Sequence, residues 1–192
     1  MKVEALERYL NSFGKEIVQG AKSNLQKAKG DTALGTSIRF EVVPTAKGFD
    51  TKFYMLDYGT YLDQGVSGNK KQVSYTNYKG KKEISSFKYR SKGPPIDIIS
   101  KWIKKRGIAP KGLGKARSKG YTSKSGKKVK GTGQYISPFA YLVSRKIKRD
   151  GLKSLSFFQE PLGIGYKKLK KQMLKELKLD IETYLTTFYR PK

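Results

Sequence analysis

The fold begins with the stretch VEALERYLNSFGKEIVQGAKSNLQKA, residues 3–28. Its apolar side chains recur every three or four positions, which places them along one stripe of an α-helix. They are Val3, Leu6, Leu10, Phe13, Ile17, Ala21, Leu25 and Ala28. Gly14 and Gly20 each weaken a helix by about 1 kcal/mol relative to alanine, so they indicate close packing or a bend. The stretch predicts a long amphipathic helix that ends at Gly30.

Two alternating stretches follow this helix. Residues 36–43 read TSIRFEVV, in which apolar and polar residues alternate at the period of a half-buried strand. Residues 44–48 supply turn chemistry, and residues 49–58 then alternate again. Tyr54, Leu56 and Tyr58 make the second face of this strand apolar as well, so we expect both faces to be covered. The two stretches predict an antiparallel hairpin.

Three more helices are expected in the second half of the chain. Pro94 and Pro95 open a helix that ends at Gly107, and Ser137–Pro138 opens another that ends at Gly151. The residues that they should bury are Ile96, Ile99, Trp102 and Ile103 in the first, and Phe139, Leu142, Val143 and Ile147 in the second.

The last predicted helix starts near Pro161 and is amphipathic. Its apolar stripe comprises Leu162, Tyr166, Leu169, Met173, Leu177, Ile181, Tyr184 and Phe188. The opposite face carries Lys168, Lys171, Lys175 and Lys178, which are either solvated or face acids of a neighbouring copy. The stripe is longer than a hairpin can cover, so we expect part of it to contact another copy.

Together these elements predict an α+β fold. Long N- and C-terminal helices should pack on a small antiparallel β-sheet, with short extra helices and a long basic loop insertion. A length of 192 residues suggests a single domain over 1–192. Within it we expect an extended loop at 65–93, in which 71–75 and 84–89 are candidates for short strands, and a mobile Gly/Lys-rich insertion at 107–134.

The charge of the chain points to its partners. Lys and Arg number 42 against 15 Asp and Glu, a formal net charge of +27. Residues 67–134 alone hold 20 basic residues and two acids. Residues 107–134 hold eight basic residues, seven glycines and no acid, a composition that buries too little apolar surface to fold alone. A polyanion would relieve the repulsion and release counterions, so nucleic acid is the expected ligand.

Eleven residues are predicted to face nucleic acid: Lys104, Lys105, Arg106, Lys111, Lys115, Arg117, Lys119, Lys124, Lys127, Lys128 and Lys130. We expect them to contact backbone phosphates without reading the base sequence. Tyr75, Tyr78, Tyr89 and Tyr121 are candidates for stacking on bases.

Catalysis is not expected. The chain has no Cys and no His, which excludes disulfides, thiol nucleophiles, imidazole bases and zinc sites built on either residue. Asp57 and Asp63 lie near the predicted hairpin without further acids, so a metal-dependent nuclease is a weak alternative. We predict no catalytic residue, cofactor or metal. The N-terminus lacks a secretory signal and no stretch is apolar enough to cross a membrane, so we expect a soluble protein made in a cytoplasm.

The order of the motifs resembles one family. Residues 31–38 (DTALGTSI) enter the first strand and residues 53–60 (FYMLDYGT) close the hairpin. This is similar to the tail-completion, or head-tail neck, proteins of tailed bacteriophages, whose acidic-aromatic-Gly-Thr signature Asp57, Tyr58, Gly59 and Thr60 match. The proline-led helix at 94–108, the helix at 139–151 and the aromatic step at 157–161 also resemble that family.

The resemblance implies a structural virion protein. It would form a homo-oligomeric ring in the neck between capsid and tail, next to portal or adaptor and tail proteins, with double-stranded DNA passing through. A closed ring would multiply the basic surface around that channel. The insertion 107–134 is longer and more basic than the family pattern needs. The alternative is a non-viral, sequence-independent nucleic-acid-binding protein associated with ribosomes or the nucleoid, which the charge supports equally well.

Overall fold

The structure, a computed structural model, describes residues 3–46, 48–108, 116–117, 121–122, 126, 128–129, 135–136 and 138–188. Within these residues it has an α+β architecture with long N- and C-terminal helices. The helices are α1 (Glu4–Lys29), α2 (Ala33–Ser37), α3 (Tyr58–Gln64), α4 (Ile96–Arg106), α5 (Pro138–Asp150) and α6 (Gln159–Phe188). The strands are β1 (Arg39–Thr45), β2 (Gly48–Tyr54), β3 (Val66–Ser67), β4 (Ser74–Thr76), β5 (Lys82–Ile84), β6 (Ala116–Arg117), β7 (Tyr121–Thr122), β8 (Lys128–Val129), β9 (Tyr135–Ile136) and β10 (Gly151–Leu152).

The chain divides into two compact units. Unit 1 comprises Met1–Gly65, Ser74–Ser85 and Lys153–Lys192, and unit 2 comprises Val66–Val73 and Ser86–Leu152. Unit 1 contains the terminal helices and the main hairpin, and unit 2 contains α4, α5 and the basic insertion. The single domain expected over 1–192 stays a prediction.

In unit 1, α1 packs along α6 and also contacts the hairpin of β1 and β2. Its apolar stripe supplies half of the core cluster, which contains Phe13, Ile17, Ala21, Leu25, Leu34, Ile38, Phe157 and Phe158. Gly14 allows the Phe40 ring to approach the helix, because a Cβ at position 14 would overlap that ring. On α6, a Cβ at Gly165 would lie 2.8 Å from Ile17. These glycines mark close contacts, as the sequence indicated for Gly14.

The hairpin is present, but its limits differ from the predicted ones. β1 and β2 pair antiparallel from Arg39 opposite Tyr54 to Thr45 opposite Gly48. The residues before β1 form α2, because the Thr32 side chain caps that helix by accepting a hydrogen bond from the Gly35 N–H at 3.2 Å. β2 ends four residues earlier than predicted.

The residues that follow β2 correct two expectations. Residues 58–64 form α3, so Tyr58, predicted as the last residue of the second strand, is the first residue of a helix. Tyr54, Leu56 and Tyr58 are exposed, so the second face of the strand is not covered as predicted. The turn is closed by the Gly59 N–H, which donates to the Leu56 carbonyl at 2.8 Å and directs the chain into the helix.

Two buried carboxylates complete the N-termini of the long helices. Asp180 on α6 accepts hydrogen bonds from the Ala5 and Leu6 N–H groups at 2.9 and 3.0 Å. Val3, the residue at the N-cap of α1, has no side chain that could accept these hydrogen bonds. Asp180, 175 residues later in the sequence, caps the helix instead. Asp63 accepts from the Phe158 and Gln159 N–H groups at 2.8 and 3.3 Å, and α6 therefore starts before Pro161.

Unit 2 has a small core between α4 and α5. Ile99, Ile103 and Ala140 are buried, with Ile96, Phe139, Val143 and Ile147 packed against them. Trp102 and Leu142 were expected in this core, but they are 48% and 51% exposed. Each lies next to a packed residue, Ile103 or Val143, and one helical step turns a side chain by about 100°. The interface between two short helices is too narrow to include both neighbours.

Short antiparallel pairs occupy the segments that were predicted as loops. Within 65–93, β4 pairs with β5, and the two strands overlap in part the candidate strands 71–75 and 84–89. β3, at the start of this segment, pairs with β10, which follows α5. In the insertion and the two residues that follow it, β6 pairs with β9 and β7 pairs with β8, so the β7–β8 pair lies between the strands of the β6–β9 pair in the sequence. Strands of two or three residues show too little alternation for their limits to be predicted from the sequence.

Candidate nucleic-acid interface

Unit 2 concentrates the positive charge of the protein. Its sequence holds 21 Lys and Arg against two acids, Asp97 and Asp150, which gives a formal charge of +19. Unit 1 holds the other 21 basic residues together with 13 acids, a formal charge of +8. The two units have equal numbers of basic residues, so the difference in their net charge comes entirely from the acids.

The predicted residues that the structure describes lie at two places in unit 2. Lys104, Lys105 and Arg106 are exposed in the last turn of α4, which Gly107 ends in a left-handed conformation at φ 64°. Cations there interact favourably with the negative end of the helix dipole. No carboxylate in the described part of the chain pairs with these three cations.

The rest of the predicted set belongs to the insertion. Lys128 lies on β8 and is exposed, and Arg117 lies on β6. The remaining predicted residues fall outside the described residues: Lys111, Lys115, Lys119, Lys124, Lys127 and Lys130.

A second basic surface, which the sequence did not predict, lies between α5 and the residues 69–70. It is an open groove of about 850 Å³. We call it the α5 groove, and its lining residues are Asn69, Lys70, Gly93, Tyr141, Leu142, Ser144, Arg145, Lys146, Lys148 and Arg149. Five of these ten residues are cations and none is an acid.

Backbone hydrogen bonds fix the two sides of the α5 groove. The Asn69 N–H donates to the Lys148 carbonyl at 2.9 Å, and the Lys70 N–H donates to the Arg149 carbonyl at 3.1 Å. These bonds satisfy carbonyls that the end of a helix leaves without partners. Gly68 permits the approach, because a Cβ there would overlap the Arg149 carbonyl oxygen. The loop that carries Lys70 is thereby attached to the helix that carries Arg145.

One carboxylate lies beside the α5 groove and is already paired. Asp150 contacts Arg149 at 2.9 Å, Lys146 at 3.5 Å and Lys71 at 3.9 Å. The hydrogen bond from the Arg149 side chain, aided by the charges of Arg149, Lys71 and Lys146, lowers the pKa of Asp150 to about 2. Asp150 is therefore ionised at neutral pH and offsets one of the surrounding positive charges.

Lys70, Arg145 and Lys148 are the three cations of the groove that pair with no carboxylate in the described part of the chain. The Arg145 guanidinium lies over the Tyr141 ring, with Cζ 5.7 Å from the ring centroid. Lys148 differs from the other two, because its Nζ donates to the Ser91 carbonyl at 2.6 Å. A sequence signal for this surface existed in the spacing of Tyr141, Arg145 and Lys148, which share one helical face.

The tyrosines proposed for base stacking are poorly placed for it. Tyr75 and Tyr89 are half-buried, and burial raises the pKa of each hydroxyl. The Tyr78 ring packs edge-on against Tyr166 with centroids 5.1 Å apart. The side chain of Tyr121 lies outside the described residues. Among the unit 2 residues whose exposure the structure describes, the exposed aromatic side chains are Trp102 and Tyr141, at 48% and 47%.

The signature Asp57, Tyr58, Gly59 and Thr60 forms the start of α3. The Thr60 hydroxyl donates to the Asp57 carbonyl at 2.9 Å, and Tyr58 is exposed. Gly59 is buried, and a Cβ there would lie 2.9 Å from Leu34. The local role of these residues is to turn the chain from the hairpin into a helix.

The acids considered for a nuclease have no shared site. Asp63 is 3% exposed and holds the start of α6, whereas Asp57 is exposed and makes no side-chain cap. Across the described residues, no three His, Cys, Asp or Glu side chains come close enough together to hold a metal ion. The same residues include no helix with the length and apolar character that crossing a bilayer requires.

Comparison with known proteins gives no relative. No family model, no curated protein and no solved structure matches the chain.

Proposed function

We propose that the protein is a structural subunit that binds duplex DNA without sequence preference and forms a ring in the head-tail neck of a tailed bacteriophage. It has no catalytic role in this proposal. Its partners are further copies of itself, portal or adaptor and tail proteins on either side, and the DNA that passes through the ring.

The observation that carries the DNA-binding part is the segregation of charge into unit 2. A surface with 21 cations and two acids repels itself, and phosphates relieve that repulsion while counterions are released. Lys104, Lys105 and Arg106 are exposed on this unit, as is Lys128. Binding through charge alone allows DNA to slide, because contacts to phosphates do not depend on the base sequence.

Two observations support the parts of the proposal that concern the ring and the neck. They are the order of the sequence motifs and the apolar side chains that the C-terminal helix exposes. The C-terminal helix exposes Leu174, Leu179 and Leu185 to more than 45% each. Apolar residues exposed together on one element are typical of surfaces that meet another protein. Closed rings are most often built from copies of one chain, so another copy is the expected partner of this surface.

A non-viral protein that binds RNA or DNA as a monomer or dimer is the second candidate. The charge of unit 2 favours it as much as it favours the neck protein. The number of copies in the assembly separates the two, because a channel needs a closed ring.

The test compares the wild type with a variant in which the eight cations of the insertion become glutamine. These are Lys111, Lys115, Arg117, Lys119, Lys124, Lys127, Lys128 and Lys130. Light scattering should give a ring of many copies for both proteins. Duplex binding of the variant should weaken, and the slope of log K against log salt should fall by about 0.9 for each phosphate that the variant no longer neutralises. Replacing the seven lysines with arginine keeps the charge and should keep binding.

Three results would change the proposal. A polypeptide that stays solitary at high concentration and ignores polyanions would overturn it. A stable monomer that binds RNA tightly would favour the non-viral alternative. A glutamine variant that is no longer soluble and folded would show that the insertion belongs to the core.

A further inference from the structure

We propose that the α5 groove is a second DNA contact, separate from the insertion, and that it holds phosphates of one strand through Lys70 and Arg145. This inference rests on the proposed function, since it names where on unit 2 the DNA backbone lies. It concerns residues that the sequence did not single out.

The first argument is the excess of positive charge. Five cations line the groove and the adjacent Asp150 offsets only one of them. Lys70 is exposed and Arg145 is exposed, and both lack a carboxylate in the described part of the chain. Such cations gain from an anion supplied by a ligand.

The second argument is that the groove is built before a ligand arrives. The hydrogen bonds from Asn69 and Lys70 to the last carbonyls of α5 join the two walls. The Tyr141 ring supports the Arg145 guanidinium at 5.7 Å, within the range of a cation–π contact. A positioned guanidinium fits two phosphate oxygens at once, and little side-chain freedom is lost on binding.

The third argument concerns which anion fits. A volume of about 850 Å³ is at the upper end of the range for a bound molecule of about drug size, so the groove accepts more than a single phosphate group. The cations come from two segments of the chain, which suits the repeated charges of a polymer backbone. An acidic protein would also complement the positive charge of the groove. Protein partners, however, usually insert an anchoring side chain into a buried apolar pocket, and the described residues of the groove form no such pocket.

The test is a double variant, Lys70→Gln with Arg145→Gln, measured against a matched control. The control is Lys168→Gln with Lys171→Gln, two exposed lysines of α6 in unit 1 that remove the same charge. Binding to a short duplex of mixed sequence is followed between about 50 and 200 mM NaCl. The slope of log K against log salt should fall by about two in the groove variant and stay near that of the wild type in the control.

A second measurement needs no variant. The wild-type protein is acetylated with and without duplex DNA, and the modified lysines are quantified by mass spectrometry. Lys70 should be protected severalfold by DNA and Lys168 should not. Circular dichroism and urea unfolding test whether the groove variant is folded. If the variant is not folded, the acetylation of the wild-type protein tests the inference instead.

The outcomes separate the inference from the function on which it rests. If the wild type binds no duplex even at low salt, the proposed function fails. If the wild type binds but the groove variant matches the control and Lys70 stays reactive, the groove inference is overturned and the function stands. Protection of Lys70 by polyglutamate and not by duplex DNA would also overturn the inference, in favour of an acidic protein.

Discussion

Two aspartates hold the long helices of unit 1 at their first turns. Asp180 is 7% exposed and Asp63 is 3% exposed, and each accepts two backbone N–H groups. Without these carboxylates, buried amides at two helix N-termini would have no partner, and an unsatisfied buried donor costs about 1–3 kcal/mol. Both residues therefore have a structural explanation, and neither needs a catalytic one.

Replacing Asp180 with alanine should lower the free energy of unfolding by about 1–3 kcal/mol, because the Ala5 and Leu6 amides lose their acceptor. Asp180→Asn keeps one acceptor oxygen and should lose less. Urea denaturation measures both. Glu182→Ala is the control, since Glu182 is an exposed acid of the same helix and its loss should change stability by no more than about 0.5 kcal/mol. Equal effects at 180 and 182 would contradict the capping role.

The charge state of Asp63 should make stability depend on pH. Burial raises the pKa of Asp63 above 3.8, although the hydrogen bonds from Phe158 and Gln159 act in the opposite direction. The folded state thus holds this proton more tightly than the unfolded chain does. The stabilising contribution is fully present below 3.8 and is lost as pH rises through the folded pKa.

Asp63→Asn removes that titration and keeps an acceptor for the amides. The unfolding free energy of the wild type, measured relative to this variant, should fall as pH rises from 3.8 through the folded pKa and then level off. Urea denaturation at a series of pH values gives the difference, and subtraction cancels the other carboxyl groups. A difference that stays constant with pH would contradict the raised pKa of Asp63 in the folded state.

At the scale of elements, the strength of a local pattern decided what the sequence could predict. The helices α1, α4, α5 and α6 repeat apolar residues over three or more turns, so their existence and most of their limits were predicted. The helix α3 has seven residues, and its Tyr58 and Leu62 continue the apolar character of the strand before it, so the pattern does not distinguish its start from the end of β2. The α5 groove was missed because Lys70 and Arg145 are far apart in the sequence.

The attachment of residues 69–71 to α5 depends on the absence of a side chain at position 68. Gly68→Ala would place a Cβ 2.6 Å from the Gly151 backbone nitrogen, so the loop must move away from the helix. We expect a loss of about 1–3 kcal/mol in the stability of unit 2, together with weaker duplex binding. Hydrogen exchange of the Asn69 and Lys70 amides measures the local change.

The control for that variant is Gly35→Ala. Its Cβ would lie 3.7 Å from the nearest heavy atoms, an ordinary contact distance, so no backbone has to shift. Unchanged exchange at Asn69 and Lys70 in Gly68→Ala would show that the loop accommodates a side chain and that its position is not set by this contact.

At the scale of the whole molecule, acids are distributed more unevenly than bases. Unit 1 holds 13 acids and 21 basic residues, whereas unit 2 holds the same number of basic residues and only Asp97 and Asp150 as acids. The sequence predicted a basic middle region because composition is visible without a structure. It could not show which cations are left without a carboxylate, since Asp150 meets Lys71 only after the chain has folded.

The bond between Asp180 and the first turn of α1 also sets an order of events during synthesis. A ribosome makes α1 before α6 and adds the capping carboxylate 175 residues later. Until then the apolar stripe of α1 lacks α6, against which it packs, and its leading amides have only water. During synthesis α1 is therefore an incomplete helix until α6 has been made, although it is the earlier of the two segments.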